Sequence, residues 1–176
     1  MERLTVVGAG TMGRGIAYAG ALGGFQVHLN DVSEEMLAKA KAYIEKEMNK
    51  SVERGYVEAA KAERALASIT YTTSLEEAGK QADIAIEAVF ESMELKIEVF
   101  KQLDMICPDH AILATNTSTM SPTEIASQTR RPDQCLAMHF FNPVHKMKLI
   151  ELVRGLDTSD ETVALAKQVA ARMGKE

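Results

Sequence analysis

The sequence predicts an α/β fold in which a doubly wound, mainly parallel sheet carries helices on both faces. Three observations carry that reading. Apolar runs of strand length alternate with amphipathic stretches of helix length, a glycine-rich turn joins the first such pair, and 176 residues at 46% hydrophobic composition suffice for one complete core.

Residues 4–7 form a short apolar run rich in branched side chains, and residues 8–13 a turn. Residues 11–22 then read as a helix lined by Gly15, Ala17, Ala19, Gly20 and Ala21, small enough to let it approach a sheet closely. Residues 25–29 make a second strand ending at Asp31, after which Ser33 followed by Glu34 and Glu35 is a helix start. From there to about residue 54, Leu37, Ala40, Ile44, Met48 and Val52 recur at spacings of three and four, one face of a long helix. Gly55 stops it, and residues 57–66 form the second arm of a helical hairpin inserted in the doubly wound pattern. Strands follow at 69–71, 83–88, 111–114, 135–139 and 149–153. Helices are expected at 93–105 and 159–173.

Composition narrows the function. With 25 acids against 20 bases, a net charge of −5 and no basic, aromatic-rich run, nucleic acid is not expected as a partner. No apolar stretch approaches the roughly 20 residues of a membrane span. Met1 runs straight into a strand without a signal-peptide series, so a cytoplasmic protein of one domain, residues 1–176, is expected. Cys107 and Cys135 are too far apart for a CxxC motif and no His/Cys cluster has zinc spacing; they read as ordinary buried thiols, with no metal site.

Gly8, Gly10 and Gly13 stand in the order GxGxxG directly after a strand and in the opening of a helix. The first glycine permits a tight turn, the second admits a pyrophosphate to the backbone, and the third allows helix and strand to pack closely. Backbone N–H groups over Gly8, Ala9, Gly10, Thr11, Met12 and Gly13, with the helix dipole, then bind the anion. Asp31, eighteen residues after Gly13, ends the second strand where an acid accepts hydrogen bonds from an adenosine ribose and repels a 2′-phosphate. The pattern is that of a Rossmann-type fold binding NAD rather than NADP.

Glu151 alternates with Ile150 and Leu152 in an apolar strand, where a carboxylate is costly to bury without a partner. His139, ending the preceding strand, is the candidate. If the two strands pair antiparallel with His139 opposite Leu149 or Glu151, the pair shares one face; a slip of one residue separates them. A carboxylate so placed orients an imidazole and stabilises its protonated form, making a general base. His145 reads as a solvent-exposed decoy, His28 and His110 as structural.

Gly-Ala-Gly-Thr-Met-Gly at 8–13, Glu-Ala-Val-Phe-Glu at 87–91, Asn-Thr-Ser at 116–118 and His-Phe-Phe-Asn-Pro at 139–143 together resemble the 3-hydroxyacyl-CoA dehydrogenases, the bacterial branch acting on 3-hydroxybutyryl-CoA above all. The likeness spans the chain in order, hairpin included. It implies NAD-dependent oxidation of a 3-hydroxyacyl-CoA to a 3-ketoacyl-CoA, with His139 as base and Glu151 as its partner. By the same resemblance, Ser118 and Asn142 contact the substrate oxygen and the nicotinamide end, and Glu91 and Lys96 contact the cofactor. Members of the family continue into an all-helical second domain that closes the substrate cleft and holds most of the dimer contact; that domain is absent from these 176 residues. A stand-alone NAD-binding module without turnover is the other reading.

Overall fold

Seven strands account for the apolar runs: β1 (Arg3–Val7), β2 (Gln26–Asn30), β3 (Ile69–Thr72), β4 (Ile84–Glu87), β5 (Ile112–Thr115), β6 (Cys135–Phe140) and β7 (Ile150–Arg154). In the computed structural model, which describes residues 1–176, they form one sheet in the order β3-β2-β1-β4-β5-β6-β7. Every pairing is parallel except the antiparallel β6–β7. Parallel strands are covered on both faces, which is why β4 and β5 are buried at every position.

Seven helices join them: α1 (Thr11–Leu22), α2 (Glu34–Glu53), α3 (Ala59–Ala67), α4 (Leu75–Gly79), α5 (Met93–Ile106), α6 (Pro122–Ala126) and α7 (Asp160–Arg172). Alternation along the strands sorts the core into two layers. Leu4, Val6, Ile84, Ile86, Leu136 and Met138 pack with α1, α2, α3 and α7; Val7, Ala85, Leu113 and Cys135 pack with α5 and α6. By the same period of two, His139 and Glu151 project on the α5 and α6 side.

Expected and observed elements agree closely. Ser33 caps α2 by accepting from Met36 N at 3.2 Å, and Leu37, Ala40, Ile44 and Met48 are its buried stripe. The short helices α4 and α6 were not expected: five residues are too few to show a helical period. Each is nonetheless signalled by a capping serine, Ser74 and Ser121, accepting from the amides of Glu77 and Glu124. Both cysteines are buried, and burial pushes each thiol up to about 11. No helix is long and apolar enough to cross a membrane.

Asp83 fastens the amino end of the sheet. Its Oδ2 accepts from the amides of Glu2 (2.6 Å) and Arg3 (3.0 Å), and His110 Nε2 lies 2.9 Å from its Oδ1. Burial raises the carboxyl, but these hydrogen bonds and the N-terminal charge outweigh it and hold the group at about 2. A depressed carboxyl stabilises the fold above its unfolded value, near 3.8, and that share is lost as pH falls toward 2. Asp83→Asn is therefore expected to lower stability by about 2 kcal/mol at pH 6. In urea titrations the gap between variant and parent should close between pH 4 and 2; a gap independent of pH would contradict the assignment.

Candidate active site

The glycine turn works by contact distances. Gly8 leaves β1 at φ +99°, and a Cβ there would lie 2.6 Å from the carbonyl oxygen of Ala88 at the end of neighbouring β4. A Cβ at Gly13 would come 1.7 Å from the Gly8 carbonyl oxygen, so this residue is what lets α1 begin against the turn. A Cβ at Gly10 would meet nothing within 4 Å. It would point into open space, where a bound group can approach the backbone. Gly10 caps α1 without any side-chain hydrogen bond, leaving the first amides of the helix uncommitted.

Asp31 stands beside this turn and is locked by it: Oδ2 accepts from Ala9 N at 2.8 Å and Oδ1 from Ser33 N at 2.9 Å. Each oxygen keeps a lone pair for a ribose hydroxyl. The Ala9 amide, by contrast, is given to Asp31 and the residue is 1% exposed, so it stands behind the cleft lining and acts on the site through that acid.

Across the cleft, β4 and β5 end in a polar network. Glu87 has no exposed surface; its Oε1 accepts from Val89 N and Lys96 Nζ, both at 2.8 Å, and its Oε2 from the Thr115 hydroxyl at 2.7 Å. Burial pushes its carboxyl up, against the pull of Lys96, Thr115 and the Val89 amide. Lys96, equally enclosed, also reaches Glu91 Oε2 at 3.2 Å. Glu91 Oε1 accepts from the Thr117 hydroxyl and from Ser118 N at 3.3 Å. Burial raises the Glu91 carboxyl, but Thr117 and Lys96 outweigh it and set it below the usual range. Lys96, expected beside a cofactor, stands behind the cleft lining rather than in it. Its first-turn position on α5 turns it inward onto Glu87, and only Glu91 reaches the cleft.

At the far end of β6, antiparallel pairing sets His139 directly opposite Glu151. Nδ1 of His139 lies 2.8 Å from Glu151 Oε2. The shared face is as expected, the burial of Glu151 is not. Its side chain is 55% exposed, because β7 is an edge strand with no neighbour beyond it. The expected exposure of His145 also fails. It is half-buried against Tyr18 and Tyr43, with Tyr43 Oη at 3.3 Å and Glu47 Oε2 at 3.6 Å, and burial lowers its pKa. The loop carrying Asn142 and this histidine is tied down by Lys175, whose Nζ donates to the carbonyls of Val144 (2.5 Å) and Met147 (2.9 Å).

These walls enclose a cleft of about 920 Å³ at the carboxyl ends of the strands. Gly8, Gly10, Thr11, Met12, Asp31, Glu91, Ser118, His139 and Asn142 line it; Ala9, Gly13, Lys96 and Glu151 stand behind. Val32, Met36 and Leu75 supply an apolar pocket on the Asp31 side. Open backbone at Gly10, an anchored acid and an apolar recess fit a dinucleotide.

The family model for the NAD-binding domain of 3-hydroxyacyl-CoA dehydrogenases matches residues 3–176. The chain belongs to that family. Among relatives of this NAD-binding domain, a probable 3-hydroxybutyryl-CoA dehydrogenase of Bacillus subtilis is 43% identical over 99% of this chain and 61% of its own length. The crystal structure of 3-hydroxybutyryl-CoA dehydrogenase from Escherichia coli superposes with a TM-score of 0.96 at 39% identity, over 99% of this chain and 37% of that one. That of (S)-3-hydroxybutyryl-CoA dehydrogenase from Ralstonia eutropha gives 0.95 at 39% identity, over 99% and 62%. The chain thus spans no more than about three fifths of the length of these dehydrogenases.

Two residues of the cleft region escaped sequence reasoning. Glu87 could have been flagged as an acid closing an apolar strand. Asn116, whose Oδ1 accepts from Phe140 N at 3.0 Å, carries no such local signal, since its partner is 24 residues away.

Two glycine variants separate packing from binding. Gly13→Ala should lower the melting temperature by about 5–10 °C, an overlap cost of roughly 2–3 kcal/mol. Gly10→Ala should leave it within about 2 °C, yet weaken NADH binding roughly ten-fold in a fluorescence titration. Equal behaviour of the two would refute this division of roles.

Proposed function

We propose that the chain is the cofactor-binding and base-bearing part of an NAD-dependent dehydrogenase that oxidises 3-hydroxyacyl-CoA, first of all 3-hydroxybutyryl-CoA, to the 3-ketoacyl-CoA. The observation that carries this reading is the 2.8 Å contact between His139 Nδ1 and Glu151. A proton on Nδ1 is held by the carboxylate, which leaves the Nε2 lone pair for the cleft. The neutral ring so oriented accepts the substrate hydroxyl proton on Nε2, and Glu151 stabilises the imidazolium that results. Ser118 and Asn142 offer a hydroxyl and a carboxamide to the substrate oxygen from the same end of the cleft. Asp31 accepts from the adenosine ribose, and the amides after Gly10 take the pyrophosphate. NAD, when bound, supplies the acceptor for the hydride leaving C3. The substrate assignment leans on the names of the relatives above.

His139→Gln keeps a polar ring-sized group but no base. It is expected to bind NADH within a factor of about two of the parent while acetoacetyl-CoA-dependent oxidation of NADH falls about 10²- to 10⁴-fold. Absorbance at the NADH band and a binding titration read the two separately. Undiminished turnover in this variant would sink the base assignment. NADH binding by the parent chain with no oxidation at all would favour a nucleotide-binding module instead.

A further inference from the structure

The polar network beneath the cleft is unbalanced in charge. Lys96 is one cation between two carboxylates, Glu87 at 2.8 Å and Glu91 at 3.2 Å. One negative charge remains. Glu87 is fully enclosed and takes the shorter contact, with two further donors; Glu91 is 40% exposed and lines the cleft. The surplus charge therefore faces the ligand. No lysine or arginine lines the cleft to cancel it.

The topology says which part of a dinucleotide meets this charge. Asp31 follows β2, whereas Glu91 follows β4, Ser118 follows β5 and His139 ends β6, three adjacent strands on the other side of β1. With strands about 4.8 Å apart, Asp31 and Glu91 stand on either side of β1, roughly 10 Å from each other across the sheet. If His139 is the base, the ring that takes the hydride lies on the Glu91 side. That ring carries a positive charge in NAD⁺ and none in NADH, while ribose and phosphate are alike in both. A hydrogen bond to ribose would hold the two forms equally; an ionised carboxylate near the ring does not.

We propose that Glu91, pinned by Lys96, Thr117 and Ser118 N, sets the balance of the site between oxidised and reduced cofactor by favouring the cationic nicotinamide. This rests on the functional reading above. For unit charges several ångströms apart in a half-exposed site, the discrimination is roughly three- to ten-fold.

Dissociation constants of NAD⁺ and NADH, measured by calorimetry and fluorescence, test it without turnover. In Glu91→Gln the ratio Kd(NAD⁺)/Kd(NADH) should rise about three- to ten-fold over the parent. Glu91→Asp, which keeps the charge, should return the ratio most of the way. Asp31→Asn, on the far side of β1 from the nicotinamide, should weaken both forms by a common factor. Equal weakening of both forms by Glu91→Gln, or no recovery of the ratio in Glu91→Asp, would overturn the inference and leave the cofactor reading standing. A parent chain that binds neither form would overturn both.

Discussion

A carboxylate with no exposed surface closes the central strand β4, and much of the cleft is arranged around making that tolerable. An unpaired charge at such a place costs several kcal/mol, and removing one partner of a buried pair typically costs about 3–5 kcal/mol. Glu87 accordingly draws in Lys96 from the first turn of α5, the Thr115 hydroxyl from β5 and the Val89 amide from its own loop. Those three bonds fix the loop after β4 and the start of α5 relative to the sheet. Through Lys96 they also hold Glu91, which in turn accepts from Thr117 and from the amide of Ser118. One buried acid thereby positions most of one wall.

The opposite wall is built by omission. Gly8 and Gly13 remove the atoms that would collide with Ala88 and with the turn itself, and Gly10 leaves backbone bare toward the cleft. Asp31, far from being a free acid, is held by two amides from the residues on either side of it in space. Its orientation is thus set before any ligand arrives, which lowers the ordering cost of binding.

What could be read from the sequence was whatever depends on local spacing. The glycine turn, the capped helix after Ser33 and the His139–Glu151 face all follow from periods of 3.6 and 2 and from turn chemistry, and the structure has each of them in place. Local spacing does not carry a residue's surroundings. Whether Glu151 is buried depends on β7 being the last strand, and strand order is not written in any single strand. Whether Lys96 faces ligand or core depends on Glu87, nine residues earlier and on a different element. His145 is half-buried rather than exposed because its covering residues, Tyr18 and Tyr43, come from α1 and α2. The short helices α4 and α6 show the opposite failure: the cap is visible locally, but a helix of five residues has too little periodic signal to be recognised.

The two walls differ in kind as well as in construction. One presents N–H donors and the positive end of α1 beside the anchored Asp31, while the other presents Glu91 and hydroxyls with a cation sealed beneath them. A symmetrical positive cleft would serve the phosphates of a dinucleotide better, and a single arginine could have supplied it. Such a charge would, however, sit within reach of a ring that must alternate between cationic and neutral states, and within reach of an imidazole that must be neutral to act as a base. Delivering positive potential only through backbone dipoles keeps it short-ranged and confined to the pyrophosphate. On the functional reading proposed above, burying Lys96 is how this wall holds Glu91 without exposing a cation.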